Sequence, residues 1–141
     1  MTKTQTKKST IRALGEINLW VKDYSNTPRF YENVLGLRPV FKNEKHVFLK
    51  AAEGYGGHPQ TVGLFNSGYN EKGPPDVERT TLYHLAFIID PKDFEKEKTR
   101  LEDQGIKVNV ELHREAHWRS MYFLDPEGNQ LEFVAYDKKL R

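Results

Sequence analysis

The stretch LGEINLWVKD (residues 14–23) has a counterpart later in the chain, LYHLAFIID (residues 82–90). In both stretches apolar residues alternate with other residues, which is the pattern of a β-strand that lays one face on a core. The residues that share the apolar face are Ile17, Leu19 and Val21 in the first strand and Leu85, Phe87 and Ile89 in the second. The chain therefore uses one type of strand at two places.

Each of these strands is followed by a predicted helix that ends at a glycine. SNTP (residues 25–28) supplies cap residues and a first-turn proline for the first helix, which ends at Gly36. The second helix is predicted over residues 92–104 and ends at Gly105. The two glycines lie 105 − 36 = 69 positions apart. This spacing indicates an internal repeat.

Further strand-like stretches follow each predicted helix, so each half reads as strand, helix, then two or three strands. The stretches lie at 46–51 and 60–66 in the first half and at 120–124 and 130–137 in the second. We expect a mobile tail over residues 1–10 and a single domain over 11–141. Within it, module 1 covers about 11–66, a Gly- and Pro-rich linker 67–80, and module 2 about 81–137.

Three chemically unusual residues fall at related positions when the two halves are aligned. Glu16 matches His84 in the first strand of each module, and Glu132 matches Gly63. A carboxylate on a half-buried strand is costly unless a positive group meets it. Imidazole and carboxylate groups together form a ligand set for a divalent metal ion. We therefore predict that Glu16, His84 and Glu132 converge on a metal site.

The neighbours of these residues on the same strand faces predict a pocket for a small organic ligand. Alternation places Asn18 and Trp20 on the Glu16 face and Tyr136 on the Glu132 face, so the predicted lining mixes apolar surface with hydrogen-bonding groups.

Composition excludes several classes of function. The chain has 141 residues and no cysteine, which rules out disulfides and thiolate metal ligands. Net charge is only +2 without a basic stripe, so we expect no nucleic-acid partner. No apolar run approaches a membrane span, and the first residues lack the apolar core of a signal peptide. We expect a cytoplasmic protein with no membrane partner.

With these residues in view, the chain resembles the vicinal oxygen chelate superfamily, which includes glyoxalase I, bleomycin-resistance proteins, fosfomycin-resistance proteins and extradiol dioxygenases. The matching stretches are LGEINLWVKD (14–23), RFYENVLGL (29–37), YHLAFIID (83–90) and DPEGNQLEF (125–133). The resemblance implies an α+β fold of two tandem βαβββ modules that form a half-open, mixed β-sheet around a metal or ligand cavity.

By position, the resemblance implies that Glu16, His84 and Glu132 are the metal ligands. The chain departs from the family pattern at two places. Glu16 stands where many members have histidine, and Gly63 stands where glyoxalase I has a glutamate ligand. We expect an open site of two carboxylates and one histidine, with the Gly63 side left free for water or substrate. These departures put iron-dependent ring cleavage and standard glyoxalase I activity in doubt.

The segment HREAHWRSMYF (residues 113–123) supplies a second group of candidates. In related dioxygenases this region provides residues that face the substrate. We expect His117 to act as a general acid or base beside the metal, and Arg119 to hold a substrate carboxylate. The alternative is a surface loop with incidental charges.

The leading hypothesis is a lyase-, isomerase- or dioxygenase-like enzyme in which nickel, zinc, manganese or iron chelates the oxygens of a small substrate. Glu132 or Glu16 would double as a base. The alternative is a metal-free small-molecule binding or resistance protein of the bleomycin-resistance type. A half-open sheet leaves edges and apolar surface that proteins usually cover, so we also predict a homodimer.

Overall fold

The structure, a computed structural model, describes residues 9–69 and 82–141. Within these residues the chain forms eight β-strands and two α-helices. In chain order they are β1 (Glu16–Val21), α1 (Thr27–Asn33), β2 (Arg38–Lys42), β3 (His46–Tyr55), β4 (His58–Asn66), β5 (Leu85–Ile88), α2 (Phe94–Asp103), β6 (Asn109–His113), β7 (Trp118–Leu124) and β8 (Gln130–Tyr136).

The strands form two four-stranded mixed sheets with the same topology. The first sheet has the order β1-β4-β3-β2, and the second has the order β5-β8-β7-β6. In each sheet the strand before the helix pairs in parallel with the last strand of its module, and the other pairings are antiparallel. Each module is therefore a βαβββ unit, and the tandem α+β architecture predicted from the sequence is confirmed.

Each sheet has one face on a common core and one open face, because side chains alternate along a strand. In β1 the core face carries Ile17, Leu19 and Val21, and the other face carries the exposed residues Glu16, Asn18 and Trp20. Both modules contribute to the core. Its fully buried members include Val47, Leu49 and Leu64 from the first module and Phe94, Leu101 and Met121 from the second.

The helices follow the sequence signals at both ends. α1 begins after Asn26 with Pro28 in its first turn, where a missing N–H costs nothing. Gly36 and Gly105, which follow α1 and α2, have φ angles of +74° and +77°, a backbone region that L side chains rarely adopt. The repeated glycines therefore reverse the chain at equivalent points of the two modules.

The modules are joined by a buried hydrogen bond between α1 and the turn that connects β7 to β8. The Tyr31 hydroxyl donates to Asp125 Oδ2 at 2.6 Å, with Tyr31 fully buried and Asp125 5% exposed. Burial, followed by the adjacent Asp125 carboxylate, raises the pKa of Tyr31 far above its usual value. The phenol therefore remains a donor at any ordinary pH.

Two strands were not singled out from the sequence. β2 and β6 are edge strands with almost every residue exposed, so they lack the alternation that marks a half-buried strand. The predicted linker falls largely outside the described residues, which stop at Tyr69 and resume at Leu82, and most of the predicted N-terminal tail lies outside them as well. Neither described helix has the length and apolar character needed to cross a membrane.

Replacing Tyr31 with phenylalanine should destabilise the protein by about 1.5–3 kcal/mol, because a buried hydrogen bond to a charged group is lost. Denaturant unfolding would measure this. Tyr24→Phe is the matched control, since the Tyr24 hydroxyl donates to the Asn43 carbonyl at 2.8 Å in an exposed setting. That variant should lose only about 0.5–1 kcal/mol. Equal losses in the two variants would contradict the role assigned to Asp125.

Candidate metal and ligand site

Glu132 lies on the open face of β8 but is nevertheless removed from water. Its neighbours Leu131 and Phe133 point into the core, and Glu132 itself is 5% exposed. An ionised carboxylate with so little hydration needs a cation or several hydrogen-bond donors. The surroundings of Glu132 therefore define the candidate site.

His84 is the positive or donor group that Glu132 meets. His84 directly precedes β5, which pairs in parallel with β8 so that Ala86 lies opposite Glu132. This register brings His84 Nε2 to 3.0 Å from Glu132 Oε2. Two ligands that each lie about 2.0–2.2 Å from one zinc-sized ion stand roughly 3–3.5 Å apart. The pair fits two ligands of one ion, and it also fits a direct hydrogen bond.

A second pair of polar groups lies beside His84 and Glu132. The ring centroid of Tyr122 is 5.8 Å from that of His84, and its hydroxyl is 3.3 Å from His113 Nε2. Burial, and to a smaller degree the charges of Glu132 and Glu111, raise the pKa of Tyr122. Tyr122 therefore stays protonated near neutral pH and can donate a hydrogen bond into the site.

These groups lie in one open cavity of about 720 Å³, which we call the His84 cavity. Its lining includes Tyr83, His84, Glu111, His113, Trp118, Tyr122 and Glu132. Such a volume accommodates a small organic molecule, and the lining combines aromatic rings with a few hydrogen-bonding groups.

Glu16 does not reach the His84 cavity within one chain. It lies in a smaller cavity of about 80 Å³ where β1 approaches β5, together with Gln60 and Thr61. Among residues 9–69 and 82–141, no three His, Asp or Glu side chains lie close enough to hold one ion. The structure brings together two of the three predicted ligands, and the three-ligand set stays a prediction.

The space above Gly63 is not free, contrary to the expectation from the sequence. A Cβ atom built on Gly63 would overlap Asn18 Oδ1 and would lie 3.0 Å from the Phe48 ring. Gly63 pairs with Asn18 across β1 and β4, so the Asn18 amide folds over the glycine. Gly63 is needed for close approach of a neighbouring side chain, and it does not leave a vacant ligand position.

Of the other predicted pocket residues, Trp20 and Tyr136 lie on open sheet faces outside the His84 cavity. Trp20 is 45% exposed and packs edge-on against Phe65, at a centroid distance of 6.1 Å. Tyr136 is 57% exposed and neighbours the His117 ring. Within one chain, neither belongs to the surroundings of His84.

His117 and Arg119 are also placed away from the cavity. His117 Nδ1 lies 2.8 Å from the Leu140 carbonyl oxygen. Arg119 points to the opposite face of β7, where its guanidinium lies over the Phe94 ring at 4.7 Å and contacts the Glu95 carboxylate at 3.2 Å. The expectation that this segment leans over the metal site is not met by these two side chains. A catalytic role for His117 stays a prediction.

Sequence reasoning missed His113 and Tyr122 as members of the site. Both line the cavity on the second sheet, with Tyr122 two strands and His113 three strands away from β5, which His84 precedes. Tyr122 lies two positions from Ser120 in a strand whose side chains alternate between the two sheet faces. The face on which Tyr122 lies could therefore have been predicted from the sequence. His113 ends an exposed edge strand without alternation, and no sequence signal identified it.

Comparison with known proteins agrees with this fold. The chain matches the family model of the glyoxalase/bleomycin resistance protein/dioxygenase superfamily over residues 13–133. The chain belongs to this superfamily, which confirms the resemblance found in its sequence motifs.

Individual relatives are distant. The chain is 25% identical over 124 residues to metallothiol transferase FosB of Staphylococcus saprophyticus, covering 86% of this chain and 76% of the relative. It is 28% identical over 122 residues to glutathione transferase FosA of Serratia marcescens, covering 86% and 79%. A mutant of fosfomycin resistance protein FosX from Listeria monocytogenes, complexed with Mn(II) and 1S,2S-dihydroxypropylphosphonic acid, shares the fold with a TM-score of 0.67 and 22% identity, covering 94% of this chain and 96% of that chain.

Replacing Gly63 with alanine should destabilise the protein by roughly 1–3 kcal/mol, because the added methyl group displaces the Asn18 amide. The loss should shrink when Asn18 is alanine, since the overlapping oxygen is then absent. A double-mutant cycle measured by denaturant unfolding tests this coupling. Additive effects of the two substitutions would show that the Asn18 amide does not set the requirement for glycine.

Proposed function

We propose that the protein is a divalent-metal-dependent enzyme that acts on a small oxygenated substrate in the His84 cavity. The observation that carries this proposal is the pairing of His84 Nε2 with the buried Glu132 carboxylate at 3.0 Å. A buried carboxylate beside an imidazole supplies two donors of the kinds that such ions prefer. Nickel, zinc, manganese and iron are all compatible with these donors, and the carboxylate oxygens disfavour copper.

Such an ion, when bound, polarises substrate oxygens and stabilises negative charge that develops on them. The protein's own residues would then position the substrate and move protons. Tyr122, protonated near neutral pH, would donate a hydrogen bond to a substrate oxygen. His113, at 3.3 Å from that hydroxyl, would exchange a proton with solvent. Glu132 is the candidate base.

A third ligand would come from Glu16 of a second copy of the chain. Glu16 is exposed on the open face of the first sheet and does not meet His84 in its own chain. The open faces also leave large apolar side chains in solvent, among them Ile88 at 86% exposure and Trp20 at 45%. A homodimer that places the first sheet of one chain over the second sheet of the other would cover this surface and complete the site.

The relatives support metal chemistry on a small molecule. FosB is named a metallothiol transferase, and the FosX complex contains Mn(II) together with a small phosphonic acid. For this chain we propose only two of these properties, namely dependence on a divalent ion and a small-molecule substrate. The cytoplasmic location expected from the sequence is part of the same proposal.

One observation favours a second candidate, a metal-free binding protein. His84 Nδ1 is buried and has no hydrogen-bond partner among the described residues. Metal-bound histidines usually donate their other N–H to a partner, which fixes the ring. If His84 instead donates from Nε2 to Glu132, Nδ1 carries only a lone pair, which is less costly to leave unpaired. Metal content separates the two candidates.

Protein purified without chelator should contain about one divalent ion per chain, and dialysis against a chelator should remove it. His84→Ala should weaken metal binding at least about tenfold, because losing a ligand costs no less than losing a residue that supports one. Elemental analysis measures both quantities. His117→Ala is the matched control and should keep its ion. A metal-free wild-type protein, or loss of the ion only in the His117 variant, would refute the assignment.

Mixing two defective variants tests whether Glu16 acts across a dimer. Glu16→Ala and His84→Ala should each bind metal poorly alone. In a mixed dimer one site has both substitutions and the other has neither, so an unfolded and refolded equimolar mixture should recover about a quarter of the wild-type sites. Metal titration gives the fraction. No recovery, although sedimentation shows dimers, would place the whole site within one chain.

A further inference from the structure

The wall of the His84 cavity beyond the His84–Glu132 pair is rich in aromatic rings. Tyr83 and Trp118 line it with exposures of 79% and 50%, and Tyr122 lies opposite Glu132 across β7 and β8. Tyr83 also packs against the His84 ring at a centroid distance of 4.8 Å. Exposed aromatic faces around a concave site are suited to stack on a planar apolar group.

The charged groups of the same wall are mainly carboxylates. Glu111 and Glu115 are exposed residues of the lining and mark the outer part of the cavity, whereas the buried Glu132 marks its floor. Arg114 is the one Lys or Arg side chain among the lining residues, and its guanidinium donates to the Arg141 backbone carbonyl. The lining therefore carries three carboxylates and one guanidinium, and the His113 Nε2 atom lies 3.7 Å from Glu111 Oε2.

We propose that the His84 cavity selects a planar aromatic ligand without negative charge, and that it rejects anionic groups at the outer end of the ligand. The proposal rests on the proposed function only in taking this cavity as the substrate site. A divalent ion at His84 and Glu132 would offset the charge at the floor. It would leave Glu111 and Glu115 facing the part of the ligand that does not reach the ion.

The physical basis is the combination of ring stacking with repulsion between like charges. A planar ring that stacks on Trp118, in the same cavity lining as Tyr122, releases water from that exposed aromatic face. An anionic group close to Glu111 or Glu115 meets an unfavourable field that Arg114 offsets only in part. At the partly exposed rim, one uncompensated charge pair changes affinity by about tenfold.

This selectivity would distinguish the protein from a relative of the same fold. FosX is known in complex with a phosphonic acid, which is an anionic ligand. The His84 cavity, with its aromatic and acidic lining, would disfavour an anionic group at the outer end of a ligand. The shared fold therefore holds a site of different ligand preference.

Calorimetric titration with three probes of similar size tests the proposal. The probes are benzyl alcohol, which is neutral, benzylamine, which is cationic, and phenylphosphonate, which is anionic. Each is measured with chelator-treated and metal-loaded protein, so that chelation of the ion is separated from contacts with the wall. In the chelator-treated protein, phenylphosphonate should bind at least about tenfold more weakly than benzyl alcohol, and benzylamine at least as tightly as benzyl alcohol.

Two variants assign the selectivity to the wall. Trp118→Ala should weaken benzyl alcohol and benzylamine alike by about tenfold, since a stacking face is lost. The double variant Glu111→Gln, Glu115→Gln should narrow the gap between benzylamine and phenylphosphonate to about threefold or less. Tyr55→Ala is the control. Tyr55 is 62% exposed at the end of β3, outside the cavity, and its loss should leave all three affinities unchanged.

The outcomes separate this inference from the proposed function. Phenylphosphonate binding as tightly as benzyl alcohol in chelator-treated protein would overturn the inference. So would unchanged affinities in the Trp118 variant, or undiminished discrimination in the double glutamine variant. If the protein contains no metal but retains the predicted order of affinities, the inference holds and the proposed metal enzyme fails.

Discussion

The buried carboxylate of Asp125 links the two modules and also shapes the strand pair that carries the site. Its two oxygens accept hydrogen bonds from the Tyr31 hydroxyl, the backbone N–H groups of Glu127 and Asn129, and the Asn129 amide. Hydrogen bonds to a charged acceptor are among the stronger ones in proteins. The turn is thereby fixed, and β7 and β8 leave it in the register that sets Tyr122 opposite Glu132. One side chain thus couples module packing to site geometry.

The internal repeat allowed the fold to be predicted from the sequence. Alternation in β1 and β5, glycines after both helices and a turn sequence between β7 and β8 are local signals, and each reports a local physical requirement. The convergence of His84 and Glu132 was also foreseeable from the sequence, because both residues interrupt apolar strands, and these two strands pair within the second module. The exposed edge strands β2 and β6 were not foreseeable individually, since nothing in their side chains distinguishes a buried face.

The predicted site residues that one chain does not bring together are those whose placement depends on long-range geometry. Arg119 and Tyr122 lie three positions apart in one strand, so their side chains point to opposite faces of the sheet. In the prediction from the sequence the residues before Ser120 form a loop, and these two side chains could therefore not be assigned to different faces. The overlap of Asn18 with Gly63 depends on the register between β1 and β4, which the sequence does not state. Glu16 and His84 likewise occupy equivalent positions of the repeat, but this equivalence does not determine whether the two side chains lie close together in one chain.

The open sheet faces give the protein an evolutionary freedom that its core lacks. Each strand carries two interleaved sets of positions: one set is constrained by packing against the helices, and the other contacts only ligand, solvent or a partner. Substitutions in the second set away from special contacts usually change stability by no more than about 0.5 kcal/mol. Residues such as Glu111, Trp118 and Tyr83 could therefore be exchanged over generations while the scaffold stays intact, so that new ligand preferences arise without a new fold.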